Sequence, residues 1–345
     1  MSVAAQTFSR SNMREFAFTM DAILPQIQDH VFSHSPVLAI LASRDLGDFG
    51  GTKMRGAGHR TIGGGHAVVV RARLGEHAGA KAGAGPFDTH NVSPDDNVRF
   101  AEYNWRFYTH GTSISEHDLR VNRDEYAISS FLSDQTESTV LSLANLLAQH
   151  IHATVSPANA VTSLDDLISA NDTVGGLAGG TYDSWNTRGV SARGTAAAGI
   201  SFASGSFAGQ GLSDFRTAFN NASEGMIQPT VMLCEYDTHE RYEGVLQPSE
   251  RFQGAVPVAD GSFRALAFRT APVLADPQCA AGLTYFLRPG PDGIELVFLS
   301  GADFDYGDWK PSSNQNVMVR PLEATCALVI HNRRYGCNKL TGITD

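Results

Sequence analysis

AISSFLSDQTESTVLSLANLLAQHIHA, residues 127–153, is the stretch on which the fold turns. Val140, Leu143, Ala144, Leu147 and Ile151 recur at three- and four-residue steps, which sets them on one face of a helix. No Gly or Pro interrupts the run, and Pro157 stops it. Such a helix spans about 37 Å, more than twice the average globular helix. It needs a broad body on which to bury its stripe.

Toward the N-terminus, HAVVVRARL (66–74) reads as a strand, and GEHAGAKAGAGP (75–86) as a stretch of small residues. A second strand follows at 98–108, VRFAEYNWRFY, in which Tyr103, Trp105 and Phe107 alternate with Glu102, Asn104 and Arg106. Two strands joined by a long glycine-rich tip predict a projecting ribbon. A two-stranded ribbon is only marginally stable alone, so it has to lie on something. Before it stands the run GDFGGTKMRGAGHRTIGGG (47–65), too rich in glycine for a core segment. Residues 13–43 read as a helical arm, with Phe16, Met20, Ile23, Leu24, Ile27 and Val31 in helical register and Pro25 and Pro36 as breaks.

Beyond the long helix, residues 163–170 read as a short helix capped by Ser163, and TVGGLAGGTYDSW (173–185) reads as loop. LSDFRTAFNNASE (212–224) predicts an amphipathic helix with Leu212, Phe215 and Phe219 inward and Gly225 as its stop. IQPTVMLC (227–234) reads as a buried strand and EYDTHERYEG (235–244) as a charged turn. Short strands follow at RALAF, LTYFL, IELVFL, VMVR and ATCALVIHN. The order of elements is α+β, without regular βαβ alternation or internal repeat.

Hydrophobic residues make up 42% and charged residues 18%, ordinary for a chain that buries a core. The formal charge of −10 argues against a nucleic-acid reader, which gains affinity by neutralising phosphates with Lys and Arg. Cys234, Cys279, Cys326 and Cys337 form no CxxC pair and read as buried reduced thiols. The N-terminus lacks a signal-type apolar run, and no stretch approaches the ~20 apolar residues of a membrane span, so a soluble cytoplasmic product is expected.

Catalytic motifs are missing: neither GxxxxGK[ST], GxGxxG nor GxSxG occurs. His239 and Glu243 would share a helix face as a metal pair, but the run reads first as a solvated turn. His150 and His152 are two apart and diverge on a helix. Asp303, Asp305 and Asp308 in DFDYGD could hold a hard cation, yet the loop lacks the bidentate Glu of a calcium hand. No catalytic, cofactor-binding or metal residue is therefore assigned.

Arm, ribbon, long helix and mixed body together resemble the Hong Kong 97-type capsid fold of tailed-phage major capsid proteins and encapsulins. Short stretches carry the resemblance in order: Tyr103-Asn104-Trp105-Arg106-Phe107-Tyr108, leading through Ile114-Ser115 and Asn122; Leu164-Asp165-Asp166-Leu167; Thr173-Val174-Gly175-Gly176 with Trp185. Then come Phe268-Arg269-Thr270-Ala271-Pro272-Val273 with Asp276, Leu283-Thr284-Tyr285-Phe286-Leu287, and His331-Asn332-Arg333-Arg334. The resemblance implies an N-terminal arm at 1–50 and an extended loop at 51–112. It implies a peripheral domain at 113–190 and 316–345 with its spine helix at 127–153, and an axial domain at 191–315.

It also implies a non-enzymatic major capsid protein that self-assembles into hexamers and pentamers of an icosahedral phage head. That head would enclose double-stranded DNA without specific recognition and without a membrane. Implied partners are a separate scaffolding protein, a portal and a decoration protein, with the virion as location after assembly in the host cytoplasm. Some relatives cross-link subunits through a lysine, for which Lys81 is the local candidate, but no partner for it can be assigned. The alternatives are an encapsulin-like nanocompartment and, from another class, a metal-dependent hydrolase using His239, Glu243 or the Asp303 run.

Overall fold

The computed structural model describes residues 35–42, 48–49, 52–53, 59–76, 97–115, 117, 125–169, 172–187, 200–201, 211–250, 266–269, 271–313 and 315–343. The helical arm expected before residue 35, Lys81 and the ribbon tip at 77–96 lie outside them. What remains of the arm is α1 (Pro36–Ala42), whose Val37, Leu38, Ile40 and Leu41 are buried.

The long helix is α2, Glu125–Ile151, 27 residues and about 40 Å of helix. Its stripe of Val140, Leu143, Ala144, Leu147 and Ile151 is buried as the spacing requires, with Ala148 beside it. The stripe lies on β4 (Arg106–Ser115), which pairs antiparallel along ten positions with β10 (Val317–Ile330). β10 also pairs with β9 (Ile294–Leu299), and β9 takes β1 (His59–Ile62) in parallel on its outer edge. Three sequence expectations change here. VMVR and ATCALVIHN are one 14-residue strand that runs through Pro321. The glycine-rich run is not all loose, because His59–Ile62 finds a sheet edge to complete. And the strand expected at 98–108 breaks at Trp105 into β3 (Val98–Asn104) and β4, since the chain there leaves the ribbon and joins β10.

The second sheet runs β6 (Leu266–Phe268), β7 (Ala271–Ala275), β5 (Val231–Cys234), β8 (Thr284–Leu287), β11 (Asn338–Thr341), with Ile200–Ser201 at the far edge. Both faces of β5 and β8 are covered, which is why their sequences are continuously apolar rather than alternating. Val231, Leu233, Tyr285 and Leu287 face the main core. Met232, Cys234 and Phe286 face a second core with Phe215 and Phe219 of α4 (Leu212–Asn221). Phe215 meets Phe268 and Phe286 edge-on, each with centroids 5.8 Å apart.

The charged run 235–244 is not a turn: it opens α5 (Tyr236–Glu250), the crossover that lets β7 lie parallel to β5. Tyr242 explains the helix, since its ring is buried in the second core and its hydroxyl donates to Ala267 O at 3.0 Å. The helix expected at 163–170 shrinks to one turn, α3 (Leu164–Leu167), with Ser163 Oγ accepting from Asp166 N at 3.3 Å. The loop expected at 173–185 contains a two-step hairpin, Thr173–Val174 with Leu177–Ala178, and a 3-10 turn at Asp183–Trp185. Among the described residues no helix is long and apolar enough to cross a membrane.

Candidate interaction surface

The ribbon is formed by β2 (Ala67–Arg73) and β3, antiparallel from Ala67↔Asn104 to Arg73↔Val98. One face is fastened to the body. Val68, Val70, Ala72, Ala101 and Tyr103 are buried. Tyr103 donates to Ile330 O at 3.0 Å, Glu102 N to Gly175 O at 2.9 Å, and Arg99 Nε to Tyr182 OH at 3.4 Å. The floor under the ribbon is thus the 173–185 segment, which the sequence presents as loop. Arg333 ties down the stretch that leads into it: buried itself, it donates to the carbonyl oxygens of Leu167 at 3.0 Å, Asp172 at 3.4 Å and Ser169, and its guanidinium lies 6.0 Å from the Trp185 ring centre. Burial lowers its pKa to about 10, partly offset by Tyr103 and Asp172.

The other face has no floor. Val69 is 53% exposed, Phe100 52% and Val98 42%, interleaved with exposed Arg71, Arg73 and Glu102. The Arg71 guanidinium lies 5.8 Å from the Phe100 ring centre. Just beyond the root, Phe107 is 71% exposed. The alternation that should have turned Phe107 inward fails because the break at Trp105 resets the faces, and Tyr108 goes inward instead. Trp105 itself is half-buried, its Nε1 donating to Gly65 O at 2.9 Å. The alternation in HAVVVRARL and VRFAEYN carried the signal for a two-faced ribbon, with Val69, Val98 and Phe100 as the apolar part of its outer face.

The sequence candidates for chemistry do not converge. His239 and Glu243 stand one turn apart on α5, both half-buried. Asp303 accepts from His59 Nε2 at 3.2 Å, Asp305 lies opposite Glu323, and Asp308 is exposed. His150 Nδ1 is 3.0 Å from Tyr108 OH, while His152 points to Asp276 with Nε2 and Oδ2 3.3 Å apart and both side chains fully buried. No three His, Cys, Asp or Glu side chains among the described residues are grouped as metal ligands would be. The four cysteines are buried free thiols, and burial raises Cys234 to about 12 and Cys337 to about 11.

No family model matches the chain, and no curated protein matches it. Solved structures do. The capsid of cyanophage A-1(L) aligns with a TM-score of 0.53 at 14% identity, over 90% of this chain and 93% of that one. The capsid of a native GTA particle aligns at 0.53 and 13%, over 84% and 88%. A virus-like particle from Pyrococcus furiosus aligns at 0.50 and 11%, over 93% and 98%. At such identities the likeness is one of fold, and it spans nearly the whole chain. The protein has the Hong Kong 97-type capsid fold, mixed helix and sheet.

Proposed function

We propose that the chain is the major capsid protein of a tailed phage, self-assembling into the hexamers and pentamers of an icosahedral head. The observation that carries this reading is the two-sided ribbon. Its inner face is bonded to its own body, and its outer face shows Val69, Val98 and Phe100 to solvent on a capsid-type fold. Apolar residues clustered on the exposed face of a ribbon whose other face is already buried mark a contact with another molecule. In this reading residues 1–50 form an arm, 51–112 the extended loop, 113–190 with 316–345 the peripheral domain and 191–315 the axial domain. β11 crosses that division to pair with β8.

The role is structural, and no catalytic, cofactor or metal residue is assigned. The partners are other copies of the chain, a scaffolding protein, a portal and a decoration protein, with double-stranded DNA inside the virion. Assembly takes place in the host cytoplasm. The acidic surface suits a container in which packed DNA must slide, since phosphate neutralisation would pin it.

Shortening the ribbon tests the proposal. Its ladder closes with Leu74 N donating to Asn97 O at 2.8 Å, so a tight turn can replace residues 77–96. The variant should keep a native circular dichroism spectrum and sediment as monomers or small rings. Wild-type-sized shells from it would refute the role given to the ribbon. Electron microscopy of the intact protein, with a nuclease-protected DNA assay, separates a phage head from an encapsulin-like compartment.

A further inference from the structure

Beneath α2 the body sheet buries two N–H donors that have no acceptor among the described residues, Arg320 Nη1 and Trp309 Nε1. Arg320 of β10 stands opposite Thr112 of β4, whose hydroxyl donates to Thr139 Oγ1 of α2 at 3.2 Å. Side chains directly opposite each other share a face of the sheet, so Arg320 is on the face that α2 covers. Tyr306 is on it too. Its ring centre lies 5.2 Å from the Arg320 guanidinium, and its hydroxyl 3.5 Å from Thr136 O of α2. On the other side of β10, Lys310 pairs with Val319, so Trp309, one step back, comes opposite Arg320 and packs against the main core. The Arg320 Nε donates to Gly307 O at 2.7 Å, which fixes the guanidinium and leaves Nη1 to find another acceptor.

A guanidinium keeps its charge in the folded protein, and burying that charge without a counter-charge is strongly unfavourable. The carboxylates of this region do not supply one. Asp305 and Glu323 are opposite each other and exposed on the outer face, and Asp308 is exposed as well. Arginine and indole nitrogens can only donate. A water would accept from both and leave the charge uncompensated, whereas a bound anion answers both donors and the charge together. Size limits the anion. The two nitrogens are shut off from solvent, so neither a nucleic-acid phosphate nor an acidic side chain of another molecule reaches them. The occupant has to be small enough to be enclosed as α2 closes on the sheet.

We propose that Arg320 and Trp309 form a buried site for a small monovalent anion of the chloride class, under the middle of α2. The ion neutralises the Arg320 guanidinium and accepts from the Trp309 indole. It thereby holds the far end of β10 and the 305–311 segment against the helix. The site belongs to the single folded chain and does not depend on the shell-forming role.

Urea unfolding of the full chain tests it, at one protein concentration, in sodium chloride and in sodium gluconate of equal ionic strength. Gluconate is too large for a closed site, so the pair of salts separates ion binding from charge screening. Chloride at ten times its dissociation constant should raise the folding equilibrium constant about elevenfold over gluconate. Trp309→Phe keeps the ring and removes the donor, so it should fold and lose most of that difference. Arg320→Met should lose all of it, and where that variant does not fold, Trp309→Phe decides. Equal midpoints in the two salts, or a chloride effect that Trp309→Phe retains in full, would overturn the proposal. Crystals grown in bromide give the direct reading. An anomalous peak within hydrogen-bond distance of Arg320 Nη1 and Trp309 Nε1 is expected, and a buried water alone at that place would overturn the site.

Discussion

Asp276 is the carboxylate around which the chain closes. Ser35 Oγ donates to its Oδ2 at 3.2 Å, Val37 N to the same oxygen at 3.1 Å, and Gln278 N to Oδ1 at 2.9 Å. His152, just past the end of α2, brings its Nε2 to 3.3 Å from Oδ2. Burial works to raise the Asp276 pKa, but His152 and the N–H donors of Gln278 and Val37 outweigh it and hold the group below its ordinary 3.8. A carboxylate with a depressed folded pKa stabilises the fold above its unfolded value and loses that contribution as pH falls through the folded one. Asp276→Asn should therefore cost about 1–3 kcal/mol near neutral pH, by upsetting the hydrogen bonds that Ser35, Val37 and Gln278 donate to the buried carboxylate. It should also flatten the acid dependence of stability below about pH 4. Urea midpoints measured at neutral and acid pH check both effects, and a neutral midpoint equal to wild type would remove this carboxylate from the fold's support.

At the scale of elements, two contacts decide whether the long helix and the ribbon find their places. Leu147 is buried at the centre of the α2 stripe, so Leu147→Asp puts an unpaired carboxylate into the core at a cost of several kcal/mol, comparable with a whole domain's stability. The expected result is insoluble protein; normal yield with intact shells would mean that the helix is exposed. Under the ribbon, Gly175 adopts φ +61° at the turn of the small hairpin. A Cβ there would stand 2.7 Å from the Cβ of Ala101 and 3.2 Å from its Cα. Gly175→Ala should lose about 1–3 kcal/mol through backbone strain, and more where the strands are forced apart. Hydrogen exchange at Glu102 N, which donates to Gly175 O, should accelerate if the ribbon root lifts. Protection equal to wild type would show that the root does not depend on this approach.

For the whole molecule, the proposed shell is held by non-covalent contacts, so boiled protein should run as a single 37.0 kDa band without a ladder of multiples. A ladder that survives boiling and reductant would show covalent cross-links. What the sequence by itself determined is what local periodicity encodes. The α2 stripe, the antiparallel ribbon and the inward Phe215 and Phe219 of α4 follow from spacings of three, four and two, because each buries one face of a single element. The tertiary structure decided wherever burial comes from both sides or from afar. EYDTHERYEG becomes helix because Tyr242 reaches a core built by β6, β7 and α4, and VMVR joins ATCALVIHN because β4 pairs along both. Phe107 turns outward because the chain changes partner at Trp105. The candidate interface shows the same division. The inward row of Val68, Val70 and Ala72 was written in the alternation of HAVVVRARL, whereas the setting of Phe100 opposite Arg71 and of Val98 opposite Arg73 is a matter of register between two strands. Side-chain spacing is a property of one strand; register belongs to two, and only the folded sheet sets it.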